Sequence, residues 1–275
     1  MANIVFDTYG KTRVRLTHVQ RLADRHELKE LSVDIFLEGS FQDAFTKADN
    51  SIVLPTDTMK NTVYVLARKK PLTCIEEFAR DLGQHFLAAV PHVSQTRIEI
   101  KEVPWARIDK SSTAFVQAGL ERRTTSFTGS RSNEIFRSGI ADLQVLKTAD
   151  SGFAGFLKDE YTTLAETNDR LLGTVLEADW LYNTADIDFN QTRAAIRDLL
   201  LATFARHKSL SVQQTLYDMG AMVIERFPAV SEIHLVMPNK HCLLVDLSRF
   251  GLDNPNQVFQ PIDEPSGYIE ARLQR

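Results

Sequence analysis

The chain has 275 residues, of which 43% are hydrophobic and 25% are charged, and its formal net charge is -4. This composition is that of a globular protein with a substantial core, and it excludes a disordered or fibrous chain. Lysine and arginine are scattered, which argues against a protein dedicated to nucleic acid. No run approaches the roughly 20 apolar residues of a membrane span, and no signal-peptide pattern is present. We therefore expect a cytoplasmic protein whose two cysteines, Cys74 and Cys242, are reduced.

In the first half of the chain, two alternating segments precede two helical patterns, and further strands follow. Alternation of apolar and polar residues indicates half-buried strands, and apolar residues on one stripe indicate a helix. Thr73, followed three residues later by Glu76, predicts a capping box for the second helix. The predicted elements are strands at 11–20 and 31–37, helices at 56–68 and from 75 to before Pro91, and strands at 97–101 and 114–120.

The second half shows the same order of elements. Asn190 is a candidate helix cap, Ser211 opens a capping box, and Pro228 closes the helix that follows. The predicted elements are strands near 126–127, 142–147 and 176–182, two helices, and strands at 233–237 and 242–247. A repeated set of antiparallel strands with a helix pair on one face predicts an α+β fold. We place the two domains at 1–137 and 138–275.

The stretch Thr56-Asp57-Thr58 follows an apolar run and Pro55, where a helical pattern begins. A helix start has free backbone N–H groups and a positive dipole end, which suit a polar or anionic ligand. For the bare pattern, an ordinary helix cap at Thr56 or Asp57 is the favoured interpretation. Ser211-Val212-Gln213 holds the matching place in the second half. Two such helix starts could contribute to one pocket.

Five further side chains are candidates for a site, and four of them have an ordinary structural alternative. The two-residue spacing of Asn239 and His241 would point both to one side of a strand, and histidine is a natural proton shuttle. The flat guanidinium of Arg170 suits a planar ligand, on which Phe153 could stack. Lys11 could belong to a proton relay. The alternatives are a surface histidine, a surface salt bridge, a packed aromatic ring and a solvated lysine.

Motifs for several other reaction classes are absent from the sequence. The seven histidines and two cysteines show no spacing typical of a zinc site, so we predict no metal. There is also no nucleophile elbow, no P-loop and no glycine-rich dinucleotide motif.

Taken together, the motifs closely resemble those of the urate oxidase (uricase) family, in the family's order and over essentially the whole chain. The segments that carry the resemblance are Tyr9-Gly10-Lys11, Thr56–Tyr64, Gly155-Phe156, Asp159–Leu164, Asp169-Arg170, Ser211–Tyr217 and Pro238–His241. The resemblance implies two tandem tunnelling-fold (T-fold) domains. It also implies a homotetramer whose active sites are shared between subunits, and a reaction without a cofactor.

The resemblance further implies a role for each candidate residue. Arg170 and Gln213 would grip the edge of urate, Phe153 would stack on its ring, and the backbones of Asp57 and Val212 would add hydrogen bonds. Lys11 and Thr56 from a neighbouring subunit would form a proton relay with His241. Asn239 and Thr56 would hold dioxygen or water above the ring.

The expected reaction converts urate, dioxygen and water to 5-hydroxyisourate and hydrogen peroxide. One alternative is a catalytically inactive purine-binding T-fold protein that keeps the binding residues without turnover. A second alternative is a different T-fold enzyme, such as a pterin aldolase or a zinc-dependent GTP cyclohydrolase.

Overall fold

The computed structural model describes residues 2–275, except for the side chain of Asp263. It contains a large antiparallel sheet together with two pairs of long helices, which confirms the predicted α+β class. The chain divides into two compact units. Unit 1 extends to Gly139 and includes Leu181–Thr192, and unit 2 comprises Ile140–Trp180 and Arg193–Arg275. Among residues 2–275, no helix combines the length and apolar content needed to cross a membrane.

Unit 1 is built from long antiparallel strands and a pair of helices. Its elements are β1 (Tyr9–Arg21), β2 (His26–Gly39), α1 (Gln42–Lys47), a 3₁₀ turn (Asn50–Ile52), α2 (Thr56–Lys69), α3 (Ile75–Ala89), β3 (Val93–Val103), β4 (Trp105–Arg107), β5 (Phe115–Gln117), β6 (Arg122–Ser130) and the start of β7 (Glu134–Lys147). The strands pair in the order β1-β2-β3-β6-β7, and β4 and β5 form a separate hairpin.

The core of unit 1 lies between this sheet and α3. Leu31, Val33, Ile35 and Leu37 of β2 are all fully buried, as their alternation with polar residues predicts. The helix α3 approaches the sheet closely at Gly83, where an added Cβ would lie 2.4 Å from the ring of Phe127. Glycine is therefore required at this position by the packing of the helix on the sheet.

A fully buried carboxylate, Glu76, joins α3 to the sheet of unit 1. It accepts hydrogen bonds from the Arg123 guanidinium at 2.5 Å, the Ser138 hydroxyl at 2.5 Å and the Cys74 thiol at 3.1 Å. Arg123 also donates to the Asn190 side chain at 2.6 Å. Several donors on a buried carboxylate offset the cost of removing its charge from water.

Unit 2 repeats the combination of antiparallel strands and a helix pair. Its elements are the rest of β7, β8 (Leu172–Tyr182), α4 (Phe189–Arg206), α5 (Val212–Arg226), β9 (Val230–Val236), β10 (Asn239–Leu244), a 3₁₀ turn (Ser248–Phe250), β11 (Phe259–Gly267) and β12 (Glu270–Gln274); the last residues of β8 and the first of α4 belong to unit 1. β10 pairs with β8 and β11, and β12 pairs with β9. The helix α5 packs against β9 and β12.

Several of the predicted helix caps are wrong. Pro55, not Thr56 or Asp57, holds the cap position of α2, and Cys74, not Thr73, holds that of α3. At the start of α4 the Asp188 carboxylate accepts from the backbone of Gln191 at 2.9 Å. The predicted cap, Asn190, instead bonds to Arg123. Buried partners elsewhere in unit 1 thus outweigh the local capping preference.

The cap of α5 and most strands are confirmed, whereas the last two strands were not predicted. Ser211 accepts from the backbone of Gln214, as the capping box predicts. The strand expected at 114–120 is limited to Phe115–Gln117. β11 and β12 were missed because they contain few apolar residues. The segment Asn239–His241 lies in β10 and contains an irregularity in its pairing with β11.

Candidate functional site

Unit 1 holds three of the predicted site residues: Lys11, Thr56 and Asp57. Lys11 is on β1, and Thr56 and Asp57 are the first two residues of α2. The Tyr9 hydroxyl accepts a hydrogen bond from the Leu54 N–H at 3.0 Å, which ties β1 to the segment leading into α2. The structure thus brings Lys11 and the start of α2 into one region.

Charge at the start of α2 is arranged around the Asp57 carboxylate. A hydrogen bond from Lys60, together with its charge, lowers the pKa of Asp57. The hydrogen bond from Asn61 and the charge of the Lys11 ammonium act in the same direction. No described side chain caps this helix start, so its first N–H groups remain available to a ligand. The region therefore combines cationic side chains with free backbone donors.

Phe153 and Arg170 are neighbours in unit 2. The guanidinium carbon of Arg170 lies 5.3 Å from the centroid of the Phe153 ring. The other neighbour of that ring is Phe156, stacked at 4.9 Å with an interplanar angle of 13°. Burial lowers the pKa of Arg170, and its Nε is buried with no hydrogen-bond partner among the described residues. A buried charged donor without a partner favours binding of an acceptor-rich ligand here.

Backbone hydrogen bonds hold the Phe153 and Arg170 loops together. Phe153 and Thr167 exchange N–H···O bonds of 2.7 and 3.0 Å, and the Arg170 N–H donates to the Ser151 carbonyl at 2.7 Å. Because these bonds use the main chain, they fix the positions of both side chains without consuming their polar groups.

The same loop is joined to the start of α5 through Ser209. The Gly152 N–H donates to the Ser209 carbonyl at 2.8 Å, and the Ser209 N–H donates to the Asp150 carbonyl at 2.9 Å. The Thr215 hydroxyl of α5 donates to the Ser209 hydroxyl at 2.7 Å. Val212 and Gln213, the first two residues of α5, are thereby held beside the Phe153 loop; Val212 is buried and the Gln213 side chain is exposed.

The remaining predicted residues, Asn239 and His241, lie on β10 beside β8. Asn239 pairs with Thr174, and Lys240 pairs with Gly173. Because the pairing is antiparallel, His241 follows toward the start of β8, which comes directly after the Arg170 segment. The predicted residues therefore form two groups: three in unit 1, and Phe153, Arg170, Val212, Gln213, Asn239 and His241 in unit 2.

The sequence analysis assigned no supporting role to the residues that hold these groups in place. Tyr9, Thr167 and Ser209 act through a hydroxyl or the main chain, and main-chain contacts leave no residue-type signal. Across the side chains that the structure describes, no group of three or more His, Cys, Asp or Glu could hold a metal ion.

Comparison with known proteins assigns the chain to a family. The uricase family model matches residues 7–128 and 136–270. A uricase from Arthrobacter globiformis is 46% identical over 267 residues, which cover 97% of this chain and 88% of that protein. The chain belongs to the uricase family. The uricase of Danio rerio is 38% identical, with 97% of this chain and 93% of that protein covered.

Solved uricase structures also share the fold. The crystal structure of the Arthrobacter globiformis uricase superposes with a TM-score of 0.97 at 45% identity, covering 100% of this chain and 96% of that one. A uricase from Bacillus fastidious gives a TM-score of 0.82 at 25% identity, covering 98% and 93%. The fold of the uricase structures is therefore present over the described chain.

Proposed function

We propose that this chain oxidises urate with dioxygen and water to 5-hydroxyisourate and hydrogen peroxide, without a cofactor. As a member of the uricase family, it is an oxidoreductase of purine degradation. The observation that carries the assignment of the site is the Arg170–Phe153 pair, in which the buried Nε of Arg170 has no hydrogen-bond partner among the described residues. The reaction balances, since urate gives two electrons to dioxygen, which also takes up two protons, while the oxygen of water enters the product as its hydroxyl group.

In the proposed binding mode, unit 2 recognises the flat purine. Arg170 and Gln213 read the edge of urate with planar donors, and Phe153 stacks on its face. The backbones of Val212 and Asp57 add hydrogen bonds. Since a purine with different edge groups would leave buried donors unpaired, this arrangement favours urate over related bases.

In the proposed chemistry, Lys11, Thr56 and His241 form a proton relay. Urate that has lost two protons is a strong enough electron donor to reduce dioxygen directly, so the protein has to position the partners and move protons. Asn239 and Thr56 hold dioxygen or water above the ring. The proximity of Lys11 to the start of α2 supports a relay that includes Lys11 and Thr56.

The proposal includes an assembly. Two T-fold domains, with a boundary near residues 137–138, form a homotetramer in the cytoplasm, and Lys11 and Thr56 complete the site of a neighbouring subunit. A dilution series followed by light scattering and activity tests the shared sites: specific activity is expected to fall as monomers form. Constant specific activity down to a proven monomer would contradict shared sites while leaving the reaction intact.

The reaction is tested by mixing metal-stripped protein with urate in air. We expect the ultraviolet absorbance of urate to fall while an equal amount of peroxide forms. Binding of urate without turnover would instead indicate an inactive purine-binding protein. Activity that returns only with stoichiometric zinc would indicate a metal-dependent T-fold enzyme.

A further inference from the structure

The strand that carries Lys11 is irregular immediately after that residue. Lys11 pairs with Ile35 and Val14 pairs with Val33, with a shift of register between the two pairs. Two residues of β1, Thr12 and Arg13, therefore stand opposite one residue of β2, which is Asp34. This two-against-one count defines a β-bulge, a feature found next to active sites where a side chain has to be redirected.

The bulge decides which face of the sheet Lys11 occupies. Residues directly opposite each other in an antiparallel pair project to the same face. Val33 and Ile35 are both fully buried on the core face, so Val14 and Lys11 project to that face as well. In a regular strand, residues three apart project to opposite faces, and Lys11 would be turned away.

Contacts of Tyr9, two residues before Lys11, confirm this orientation independently. Tyr9 pairs with the buried Leu37, its hydroxyl is bonded by Leu54 just before α2, and its ring meets Phe41 edge-on at 4.7 Å. The core face is thus the face that carries the approach to α2. With the bulge, Lys11 projects to this same face of the sheet.

One side chain holds the bulge in place. The Arg13 N–H donates a hydrogen bond to the Asp34 carboxylate, which replaces the ladder bond that the bulge removes. Arg13 has a φ of 56°, in the left-handed region that is unfavourable for a residue with a side chain. Asp34 therefore stabilises the unfavourable backbone conformation of Arg13, a residue of the bulge that changes the direction of the Lys11 side chain.

We propose that Asp34 is a positioning residue for the reaction, because it holds the bulge that turns Lys11 toward the start of α2. This inference rests on the proposed relay role of Lys11. Asp34 acts through the backbone of Arg13 and has no direct part in the chemistry.

The test compares three variants with a matched control. Asp34→Ala removes the acceptor and is expected to lower kcat about tenfold to a hundredfold, with a much smaller change in KM, since misplacing a group by about 1 Å can cost that much. Asp34→Asn keeps an acceptor oxygen and is expected to recover most of the loss. Adding Arg13→Gly to Asp34→Ala is also expected to restore turnover, since glycine adopts a positive φ without strain.

Glu30→Ala is the matched control. Glu30 lies four residues from Asp34 on the same strand, but its carboxylate accepts hydrogen bonds from the side chains of Arg15 and Trp105 rather than from a backbone N–H of the bulge. Turnover is expected to be unchanged. Equal losses in Glu30→Ala and Asp34→Ala, or wild-type kcat in Asp34→Ala, would overturn the proposal.

Hydrogen exchange of the segment Tyr9–Arg15 supplies a readout that does not depend on activity. The Arg13 amide is expected to be protected in the wild type and in Glu30→Ala, and unprotected in Asp34→Ala. A rapidly exchanging Arg13 amide in the wild type would overturn the proposal even if Asp34→Ala failed to fold. If the wild type does not oxidise urate, the proposed function fails, and if Lys11→Met keeps full turnover, the relay role of Lys11 fails. In both cases the exchange data still test whether Asp34 holds the bulge.

Discussion

The helices α2 and α5 both carry proposed site residues at their first two positions, yet only α5 is capped by a side chain of its own. Ser211 accepts from Gln214 at the start of α5, whereas Pro55 offers α2 no capping group. A capped start is rigid and its backbone donors are partly consumed, whereas an uncapped start keeps its donors free.

The surroundings of the two helix starts also differ, because main-chain hydrogen bonds dominate near α5 and charged side chains dominate near α2. Phe153 and Arg170 are held by main-chain bonds to Thr167 and Ser151, and their loop is bonded to the approach to α5 through Ser209. Around α2 the defining features are the charged groups Lys11, Asp57 and Lys60. The Phe153–Arg170 pair thus suits recognition of a flat ligand and the charged groups around α2 suit proton movement, so substitutions of Arg170 and of Lys11 should affect different kinetic constants.

Replacing Lys11 by methionine gives the largest expected effect. Loss of a group that transfers protons typically costs about 10²–10⁴ in rate, so kcat should fall by that order while KM changes little. Steady-state kinetics with urate measures both constants. Lys101→Met, at an exposed position on β3, is the control and should behave as the wild type. Unchanged kcat in Lys11→Met would remove Lys11 from the relay.

Replacing Arg170 by alanine should mainly weaken binding. A hydrogen bond to a charged group contributes about 1.5–3 kcal/mol, which corresponds to a rise in KM of about tenfold to a hundredfold. Arg97→Ala is a matched control, because Arg97 also lies over an aromatic ring, Phe36, at 4.0 Å but outside the proposed site. If both variants raised KM equally, the role of Arg170 in gripping urate would be refuted.

Removing the cap of α5 tests how much the cap contributes to stability. Ser211→Ala should lower the free energy of unfolding by about 1 kcal/mol, since the N–H of Gln214 loses its acceptor. Ser211→Thr keeps a hydroxyl and should retain most of the stability. Thermal or urea unfolding measures the difference, and equal stability of the alanine variant and the wild type would show that the cap contributes nothing.

The cysteines provide the smallest predicted contrast between the units. Burial and the nearby Glu76 raise the pKa of Cys74 to about 12, whereas Cys242 in unit 2 is half-exposed. A thiol reagent at pH 8 should therefore label Cys242 well before Cys74. Faster labelling of Cys74 in the folded protein would contradict its burial.

The raised pKa of Cys74 also predicts a pH dependence of stability. Between about pH 8.5, where a free thiol ionises, and about pH 12, the folded state retains a proton that the unfolded state has lost. The neutral thiol therefore contributes stability below this window, and the contribution is lost as pH rises through it. Cys74→Ser, which does not titrate there, should show a shallower alkaline loss than the wild type.

Patterns along single elements were predictable from the sequence. The alternation in β2 and the capping box of α5 require only local information, and both are confirmed. The motif resemblance also named the candidate site residues, because the chemistry of a side chain follows from its residue type, which the sequence gives directly. Their proposed roles remain predictions.

What depended on distant partners could not be predicted. The bulge after Lys11 breaks the assumption of strict alternation, and its stabilising partner, Asp34, lies 21 residues away. Asn190 looked like a cap, but Arg123 engages its side chain, so Asp188 serves α4 instead. Such outcomes follow from tertiary competition for hydrogen bonds, which no local pattern encodes.

The buried Glu76 cluster has a consequence for how the sequence can change. Removing one partner of a buried charge costs about 3–5 kcal/mol, whereas replacing a whole buried ionic group by apolar residues of similar volume is often neutral or stabilising. Glu76, Arg123 and Ser138 are thus coupled positions. Single substitutions at these positions are therefore expected to lower the stability of the folded protein, whereas a joint replacement by apolar residues is not. Engineering of a more heat-resistant variant should vary them as one block.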